Sequence, residues 1–493
     1  MNNFDSNNDY RKDLIAFILC LFACILWVIL LSYKYFHFGY DDWDLAYFSQ
    51  SMWDLSHGIS YNSLFDANFF SNHDNLIAYL VLPIYQVFQH PLILIFLKVF
   101  SFITAAYVLY IIAKEKLGVN VALIILFSYL IYTPNVIGIG YDFDFESLSP
   151  VFLMLIYFFY IKDHWWGFIL CAVILILIKE NLPLIVLAFS IHALFVKKDK
   201  IQWSIIPGAL ALISFYVLIF VFTPLMSGRP LGAEHGYYIG QNYKSFGGSI
   251  SGILFSIIFH PIIILKGVFY PLNLRFLSDI FESFFCLPFL SPGTLFLISP
   301  IFLQHLLSSA LTEHSICYAY VLPIAPFLFL ATINSLKFLS EHFKKVYSSC
   351  LMFFFLFSVM CFCVNFQGIK IRFMPKELVY QTEKLTQEQW ELVNLVPPNV
   401  PVVASFSYLA PLSKRTDLYA FIKIYDSKYQ NKYWSYQLPS DVKYALIDMG
   451  DPWLWEASDS KEDLQRIRKF LKDGHWKVIK RFDRYALFKR EVL

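Results

Sequence analysis

The stretch LIAFILCLFACILWVILLSYKY, residues 14–35, decides the class of fold. A run of this length matches the hydrocarbon core of a bilayer, which a helix crosses in about 20 residues. It is too long for the apolar core of a cleavable signal peptide, and bulky acidic sequence follows it, so we expect it to stay as a helix. The 493 residues are 58% hydrophobic and 15% charged, with a mean hydropathy of +0.54. These values predict a polytopic membrane protein.

Further apolar runs predict the other helices of the bundle. They lie at residues 76–90, 92–113, 120–139, 148–161, 165–178, 182–196, 202–225, 249–270, 276–290, 294–310, 318–336 and 346–364. Several runs are shorter than a full span, so an interfacial or re-entrant helix fits them as well. We expect an α-helical bundle of about 10 to 13 spans.

The positions of Lys and Arg predict the orientation, because short cytoplasmic loops carry an excess of both residues. Basic residues collect beside the predicted helices at Arg11 and Lys12, at Lys114 and Lys116, at Lys162, and in KKDK (197–200). We therefore expect a cytoplasmic N-terminus. The loops on the other side, among them 36–75 and 133–147, are the acidic ones and are expected outside.

The chain after Val364 has a different composition, with no apolar run long enough to cross a bilayer. Three segments have the pattern of strands: VPVVASF (400–406), KYALIDM (443–449) and WKVIKRFDRYALFKR (476–490). KEDLQRIRKFLKDG (461–474) has apolar residues at helical spacing and a terminal glycine. We expect a transmembrane module over residues 1–365 and a soluble, extracytoplasmic α/β domain over residues 366–493.

The densest acidic cluster, YDDWD (40–44), directly follows the first predicted helix. Two roles fit its carboxylates. Asp41, Asp42 or Asp44 would be an N-cap and first-turn acid of the next helix, whose N–H groups and dipole favour an acid. Alternatively, one of them removes a proton from an acceptor hydroxyl or binds a divalent cation. One cap needs only one acid, and three are present.

The segment 44–56 predicts a helix that lies in the membrane surface. Its apolar stripe consists of Leu45, Phe48, Met52 and Leu55. Its other face carries Asp44, Ser51 and Asp54.

A second acidic segment is YDFDFES (141–147). Asp142, Asp144 and Glu146 alternate with two phenylalanines, so an extended segment would present three carboxylates on one face. Oxygen ligands of this kind suit Mg or Mn. A divalent cation held by Asp44, Asp142 and Asp144 is one expectation, and a plain solvated loop is the other.

Charged residues also interrupt the apolar runs in LIKENLP (177–183). Lys179 and Glu180 lie between two apolar segments, where a charge is costly unless it pairs or has a function. His73, in SNHDN (71–75), opens the next apolar run. A capping role and a ligand-binding role both remain open for this histidine.

Several stretches resemble a known family. DLAYFSQSMWDLSHG (44–58), NHD (72–74), YDFDFES, KEN and HSICYAYVLPIAPFLF (314–329) are similar to patterns of a domain-of-unknown-function family of predicted bacterial integral-membrane proteins. The tail is similar too, with VPPNVPVVAS, LAPLSKRTDLYAF and VKYALIDM, so the likeness spans most of the chain. The chain departs from the family at Ser49, Asp144 and Asn181, where Asp, His and Asp are usual.

That family is similar to the GT-C superfamily, multi-span glycosyltransferases that take sugars from polyprenyl-phosphate donors. The resemblance implies a GT-C-like bundle in the bacterial inner membrane, in contact with the lipid bilayer. It also implies a catalytic carboxylate in the first outer loop, where Asp44 ranks first and Asp42 and Asp41 follow. The expected activity is transfer of a sugar from a polyprenyl-phosphate donor to an envelope glycan, lipid or protein.

Other residues are expected to contact the substrate of such an enzyme: His73, Asp142, Glu146, Lys179, Glu180, Arg229 and Tyr318. A leaving phosphate needs a cation, which Lys179, Arg229 or Lys244, or else a metal ion, would supply. A non-enzymatic transporter or flippase of a lipid-linked substrate is the alternative, and an envelope assembly partner is a third. Nucleic acid is not expected as a partner, because the basic residues form no stripe that would follow phosphates.

Overall fold

The computed structural model describes residues 3–40, 43–230, 242–373, 382–426, 430–431, 434–451 and 461–491. The chain forms two compact units. The first unit comprises Met1–Ile29, Phe70–Leu80 and Phe96–Arg372, and the second unit comprises Leu30–Phe69, Val81–Ile95 and Phe373–Leu493. The second unit thus combines the C-terminal region with the segment that follows the first apolar run. The division into a membrane module over 1–365 and a soluble domain over 366–493 stays a prediction.

Helices make up most of the described chain. Those up to residue 226 are α1 (Asn3–Phe36), α2 (Asp44–Ser56), α3 (Ala78–Val87), α4 (Pro91–Leu117), α5 (Val119–Ile131), α6 (Thr133–Gly140), α7 (Ser149–Ile161), α8 (Trp165–Ile178), α9 (Pro183–Val196), α10 (Ile206–Val217) and α11 (Thr223–Met226). Later helices, named by their bounds, are Ile250–Phe259, Pro261–Val268, Pro271–Phe281, Pro292–Leu307, Ala325–His342, Lys344–Val364, Phe366–Phe373, Glu383–Leu395, Phe406–Leu409, Ile422–Tyr425 and Lys461–Asp473. Proline often lies in the first turn of a helix, as Pro150 does in α7 and Pro183 in α9. The N–H groups of that turn have no acceptor within the helix, so the missing N–H of proline costs no hydrogen bond.

Within the described residues, five helical segments are long and apolar enough to cross a bilayer, or up to seven if each bent pair is one span. The five are Tyr10–Phe36, Pro91–Leu117, Ile201–Met226, Ala319–His342 and Lys344–Val364. The bent pairs are α5 with α6, at 44°, and Ile250–Phe259 with Pro261–Val268, at 103°.

Shorter apolar helices complete the bundle. One of them, α8, has 14 residues. At a rise of 1.5 Å per residue a helix of that length reaches about 21 Å, less than the roughly 30 Å of a hydrocarbon core. The expected number of about 10 to 13 spans is therefore reached only if the shorter helices cross as well. The described chain is a multi-pass helical membrane protein, as the composition predicts.

Ion pairs join the basic residues that predict the orientation. Lys114 pairs with Asp13 at 2.7 Å, Lys162 with Glu115 at 2.8 Å, and Lys197 with Asp163 at 2.5 Å. These contacts join the beginning of α1 to the ends of α4, α7 and α9. The predicted cytoplasmic ends therefore meet at one end of the first unit. Which compartment that end faces stays a prediction.

The described part of the second unit contains a five-stranded mixed sheet. The strands found in the described residues are β1 (Tyr61–Asn62), β2 (Ala67–Asn68), β3 (Val402–Ala404), β4 (Leu418–Ala420), β5 (Gln430–Asn431), β6 (Trp434–Ser435), β7 (Tyr444–Asp448), β8 (Trp476–Phe482) and β9 (Tyr485–Arg490). The order in the five-stranded sheet is β4-β3-β7-β9-β8. β3 runs parallel to β4 and β7, and β9 runs antiparallel to β7 and β8. β3 is buried along its whole length, as is usual for a strand between parallel neighbours. The predicted strands and the C-terminal hairpin are confirmed.

Candidate functional site

A cavity of about 520 Å³ lies within the first unit, and its two sides differ in chemistry. The apolar side is lined by α9, α10 and the helix Ile250–Phe259, with Leu184, Leu187, Leu212, Phe215, Ile253 and Leu254 among its residues. The polar side includes His73, Glu146, Lys179, Glu180, Gln304, His305, Glu313 and Tyr320. A cavity that joins a long apolar wall to a few convergent charges suits an amphipathic ligand.

Lys179 and Glu146 form an ion pair at the polar side. Lys179 follows the last residue of α8, and Glu146 lies in the 3₁₀ turn Phe145–Leu148 that precedes α7. Both side chains are at least nine-tenths buried. Burial lowers the pKa of Lys179, but neighbouring carboxylates, Glu146 first, outweigh burial and raise the pKa well above its ordinary value. Lys179 is therefore a permanent cation in the wall of the cavity.

His73 and Glu180 form a second pair of polar side chains beside the first. His73 Nδ1 lies 2.7 Å from Glu180 Oε1. Burial alone would raise the pKa of Glu180, but His73 and Lys179 lower it, so this carboxylate stays ionised. The backbone explains why the two loops meet, because the N–H of Ile77 donates to the carbonyl of Leu177 over 2.7 Å.

Asp74, next to His73, is buried, and its pKa is shifted in the opposite direction to that of Glu180. Burial raises its pKa to about 8, and the charge of Glu180 adds to this effect. Its Oδ1 accepts a hydrogen bond from Thr223 Oγ1 at 2.9 Å. Asp74 therefore holds its proton at neutral pH while Glu180 is charged.

The opposite part of the polar side comes from the end of the helix Pro292–Leu307 and the turn Leu311–His314, which the sequence analysis did not connect with the site. Gln304 accepts a bond from Asn181 at 2.9 Å. His305 Nδ1 lies 3.1 Å from Glu313 Oε2. The available signal was the presence of ionisable groups at the end of an apolar run, which is costly in a membrane unless they pair.

Lys98 is a further residue of interest that no sequence motif singles out. It lies in α4 and is fully buried. Its Nζ donates to the carbonyl oxygen of Tyr141 at 2.6 Å and to that of Asp142 at 3.1 Å. The lysine thus positions the backbone of the YDFDFES segment, and the signal was again a single charge within an apolar run.

The YDFDFES segment is not the extended acidic strip that its alternation predicts. Phe145–Leu148 is a 3₁₀ turn, and Asp144 caps it by accepting the N–H of Glu146 at 2.8 Å. Phe143 and Phe145 are fully buried, so the rings anchor the segment as expected. Asp142 is also buried. The hydrogen bond from the N–H of Glu146 to the side chain of Asp144 closes the turn. In this turn the side chain of Glu146 reaches Lys179.

The structure therefore brings together four of the predicted substrate-binding residues, His73, Glu146, Lys179 and Glu180. Other predicted residues are not among those that line this cavity. Tyr318 packs on Tyr141 with ring centroids 5.3 Å apart, whereas Tyr320 lines the cavity. Arg229 follows α11 and Lys244 begins the turn Lys244–Phe246, and both are exposed.

Asp44 is the first residue of α2 and belongs to the second unit. The helix has the predicted bounds, but its N-cap is Trp43, which makes no side-chain capping bond, so Asp44 is a first-turn acid rather than the cap. Asp41 and Asp42 lie outside the described residues. The catalytic role of all three carboxylates stays a prediction.

The polar face of α2 packs within the second unit, and the position of this helix in the membrane surface stays a prediction. Ser51 and Asp54 are buried, and Ser51 Oγ accepts from Asn62 Nδ2 at 2.9 Å. Gln50 Nε2 donates to the carbonyl of Thr416 at 2.7 Å, and Ser63 Oγ bonds the same carbonyl at 2.8 Å. The polar residues of α2 thus form hydrogen bonds within the second unit, to β1 and to the loop before β4. Helical periodicity cannot reveal these partners.

The described residues contain no group of three His, Cys, Asp or Glu side chains arranged to hold a metal ion. The predicted set divides between the units, since Asp44 belongs to the second and Asp142 and Asp144 to the first. The carboxylate of Asp144 is moreover engaged by its own backbone turn. Use of Mg or Mn stays a prediction, and no step below runs through a metal.

A family model described as "Predicted membrane protein (DUF2079)" matches residues 34–487. The chain belongs to this family. No curated protein matches the sequence. The family recognised from the motifs at 44–58 and 314–329 is therefore confirmed, while its description names no activity.

Solved structures show which fold the DUF2079 chain has. ArnT from Cupriavidus metallidurans bound to undecaprenyl phosphate is 10% identical, with 96% of this chain and 97% of that chain covered and a TM-score of 0.54. The apo state of that protein aligns with a TM-score of 0.49 at 10% identity, over 94% of this chain and 97% of that one. The oligosaccharyltransferase of Archaeoglobus fulgidus, in complex with Zn and sulfate, aligns with a TM-score of 0.39 at 11% identity. The alignment covers 87% of this chain and 68% of that chain. The first of these establishes a GT-C-like fold, as the resemblance implies.

Proposed function

We propose that this DUF2079 protein is a GT-C-type glycosyltransferase that moves a sugar from a polyprenyl-phosphate donor to an envelope glycan, lipid or protein. Its place is the bacterial inner membrane, with the N-terminus in the cytoplasm and the C-terminal domain outside. The GT-C-like fold supports this proposal, because ArnT, which is similar in structure, is bound to undecaprenyl phosphate.

The observation that carries the proposal is the two-sided cavity of the first unit. A polyprenyl phosphate has a long apolar tail and one charged phosphate, and the cavity offers an apolar wall and a buried lysine. Apolar surface removed from water is stabilised by about 25 cal/mol per Å², so a prenyl tail gains affinity along Leu212, Phe215 and Leu254. The ammonium of Lys179 has three N–H donors, and Glu146 accepts one of them.

The reaction is a single displacement. A base accepts the proton of an acceptor hydroxyl, the acceptor oxygen forms a bond to the anomeric carbon, and the bond from that carbon to the phosphate oxygen breaks. Polyprenyl phosphate leaves with the electron pair, and a fixed cation stabilises the charge that develops on it. Lys179 supplies this cation, and Asp44 remains our candidate for the base.

A transfer assay tests the proposal. The purified full-length protein is placed in liposomes with a panel of radiolabelled undecaprenyl-phosphate sugars and a total envelope lipid extract, with and without EDTA. We expect a labelled glycolipid from wild type and none from Lys179→Met, with exposed Lys198→Met as the matched control. Loss of product in EDTA would support the predicted metal.

The flippase alternative gives a different result in the same liposomes. A transporter moves the labelled lipid between leaflets and leaves its covalent state unchanged. Such movement without any new product, for every donor of the panel, would overturn the proposal.

A further inference from the structure

His305 has one ring nitrogen engaged and the other without a partner. The side chain lines the cavity and is 2% exposed. Nδ1 lies 3.1 Å from Glu313 Oε2, so Nδ1 carries a hydrogen and donates it to the carboxylate, which fixes the tautomer. Nε2 is buried and has no hydrogen-bond partner within the described residues. A buried polar atom without a partner requires an explanation, and this one belongs to a side chain that lines a cavity large enough to hold a ligand.

The groups around His305 come from several elements. Glu313 belongs to the turn Leu311–His314, and the hydroxyl of Tyr243 donates to the carbonyl of Gln304 at 3.0 Å. The ring of Tyr320 lies 5.9 Å from the imidazole. The Nζ of Lys179 lies 5.7 Å from the same tyrosine ring. His305 and Lys179 thus both lie near one aromatic side chain at the polar side of the cavity.

The neighbouring His314 is occupied on both nitrogens and faces other partners. Its Nδ1 lies 2.5 Å from Asn273 Oδ1, and its Nε2 lies 2.8 Å from the carbonyl of Ser308. It does not compete with His305 for a ligand of the cavity.

The charges of the lining oppose a phosphate, and a proton that enters with the phosphate lessens this opposition. Among the described lining residues, one lysine faces Glu146, Glu180 and Glu313, so the lining is net negative while its two histidines are neutral. An anion that enters such a cavity is repelled. Protonation of an imidazole removes one negative unit from this balance and creates an N–H donor at the same time.

We propose that His305 binds the phosphate of the polyprenyl phosphate as an imidazolium, so that phosphate binding takes up one proton. Nε2–H donates to a phosphate oxygen while Glu313 accepts Nδ1–H, and Lys179 contacts the same phosphate. The inference rests on the proposed function, because it names the residue that receives the phosphate of that donor. A hydrogen bond between two charged groups is about twice as strong as a neutral one.

The binding of undecaprenyl phosphate to the purified full-length protein tests this assignment, in detergent at pH 6 and at pH 8. The phosphate monoester itself takes up a proton near pH 6, so each variant is compared with wild type at the same pH. We expect His305→Gln to weaken binding roughly tenfold at pH 6 and by less at pH 8, because an imidazolium that binds phosphate takes up a proton, and protons are scarcer at pH 8.

Two further variants separate binding from structure. Glu313→Gln keeps an oxygen that accepts Nδ1–H but removes the charge that favours the imidazolium. We therefore expect its loss of affinity with rising pH to begin at a lower pH than in wild type. His342 is exposed and bonds only its own helix, to the carbonyl of Phe338 at 3.0 Å within the described residues, so His342→Gln is the matched control and should bind as wild type does.

The outcomes decide between the two proposals. An equal loss at both pH values, or no loss at either, would overturn the assignment of His305 while the transferase proposal stands on its own assay. Should His305→Gln fail to fold, an unchanged pH dependence in Glu313→Gln would overturn it alone. Absence of undecaprenyl phosphate binding by wild type at both pH values would count against both proposals.

Discussion

Lys179 and Glu146 carry opposite charges in a place where neither is stable without the other. Removing one partner of a buried ion pair costs roughly 3–5 kcal/mol, whereas replacing both by apolar residues is often neutral. We therefore expect Lys179→Met to lower the melting temperature, and the double variant Lys179→Met, Glu146→Leu to recover most of it. Neither should transfer sugar, because the cation is lost in both. Recovery of activity together with stability in the double variant would contradict the role of Lys179.

The proposed role of Asp44 as the base is tested by a substitution that removes its charge and keeps its size. Asn has the same shape but accepts no proton, and general-base catalysis contributes about 10² to 10⁴ in rate. We expect Asp44→Asn to reduce transfer at least 100-fold. Asp66→Asn is the matched control, because Asp66 is exposed and its φ of 62° suits asparagine as well. Equal product from Asp44→Asn and wild type would exclude Asp44 as the base.

At the scale of the element, α2 shows which features sequence predicts and which it does not. Its bounds, 44–56, follow from helical spacing, and the strands β3 and β7 fall within the predicted 400–406 and 443–449. These features depend on neighbours in sequence. The burial of Ser51 and the bond from Gln50 to Thr416 depend on a segment 366 residues away, which no local pattern contains.

The same helix carries a carboxyl that makes its packing sensitive to pH. Asp54 is 1% exposed, and burial, offset in part by contact with Thr416 and reinforced by Asp417, raises its pKa to about 8. The unfolded chain loses this proton near pH 4, so the folded state binds more protons between about pH 4 and 8 and loses stability as the pH rises.

Asp54→Asn removes that titration without a change of shape. We expect the variant to melt above wild type at pH 8 and at the same temperature as wild type near pH 4, in thermal unfolding of the purified protein. Asp441→Asn, at an exposed position, should show no such difference. A constant difference across this range would mean that Asp54 acts through packing alone.

At the scale of the whole molecule, the sequence predicts segregation of charge, and the structure shows two charged regions of different kinds in the first unit. One joins Lys114, Lys162 and Lys197 to acids at half-exposed helix ends. The other, around Lys179, is buried at the cavity. Composition cannot distinguish these two, because pairing across 33 residues, as for Lys179 and Glu146, is fixed only when the helices pack.

The orientation of the chain follows from the first of these regions and can be measured directly. Short loops rich in Lys and Arg stay in the cytoplasm, so the helix ends that carry Lys114 and Lys197 belong there. The proposed chemistry also needs the C-terminal region on the outer side.

Fusions to alkaline phosphatase measure this orientation. Alkaline phosphatase requires disulfides, which form only outside the cytoplasm, so its fusion after residue 493 should be active and a fusion after Lys200 inactive. Green fluorescent protein at the same two positions should give the reverse pattern. Phosphatase activity after Lys200 but not after residue 493 would place the C-terminal region in the cytoplasm, away from any outer-leaflet acceptor, and would remove the topological basis of the transferase proposal.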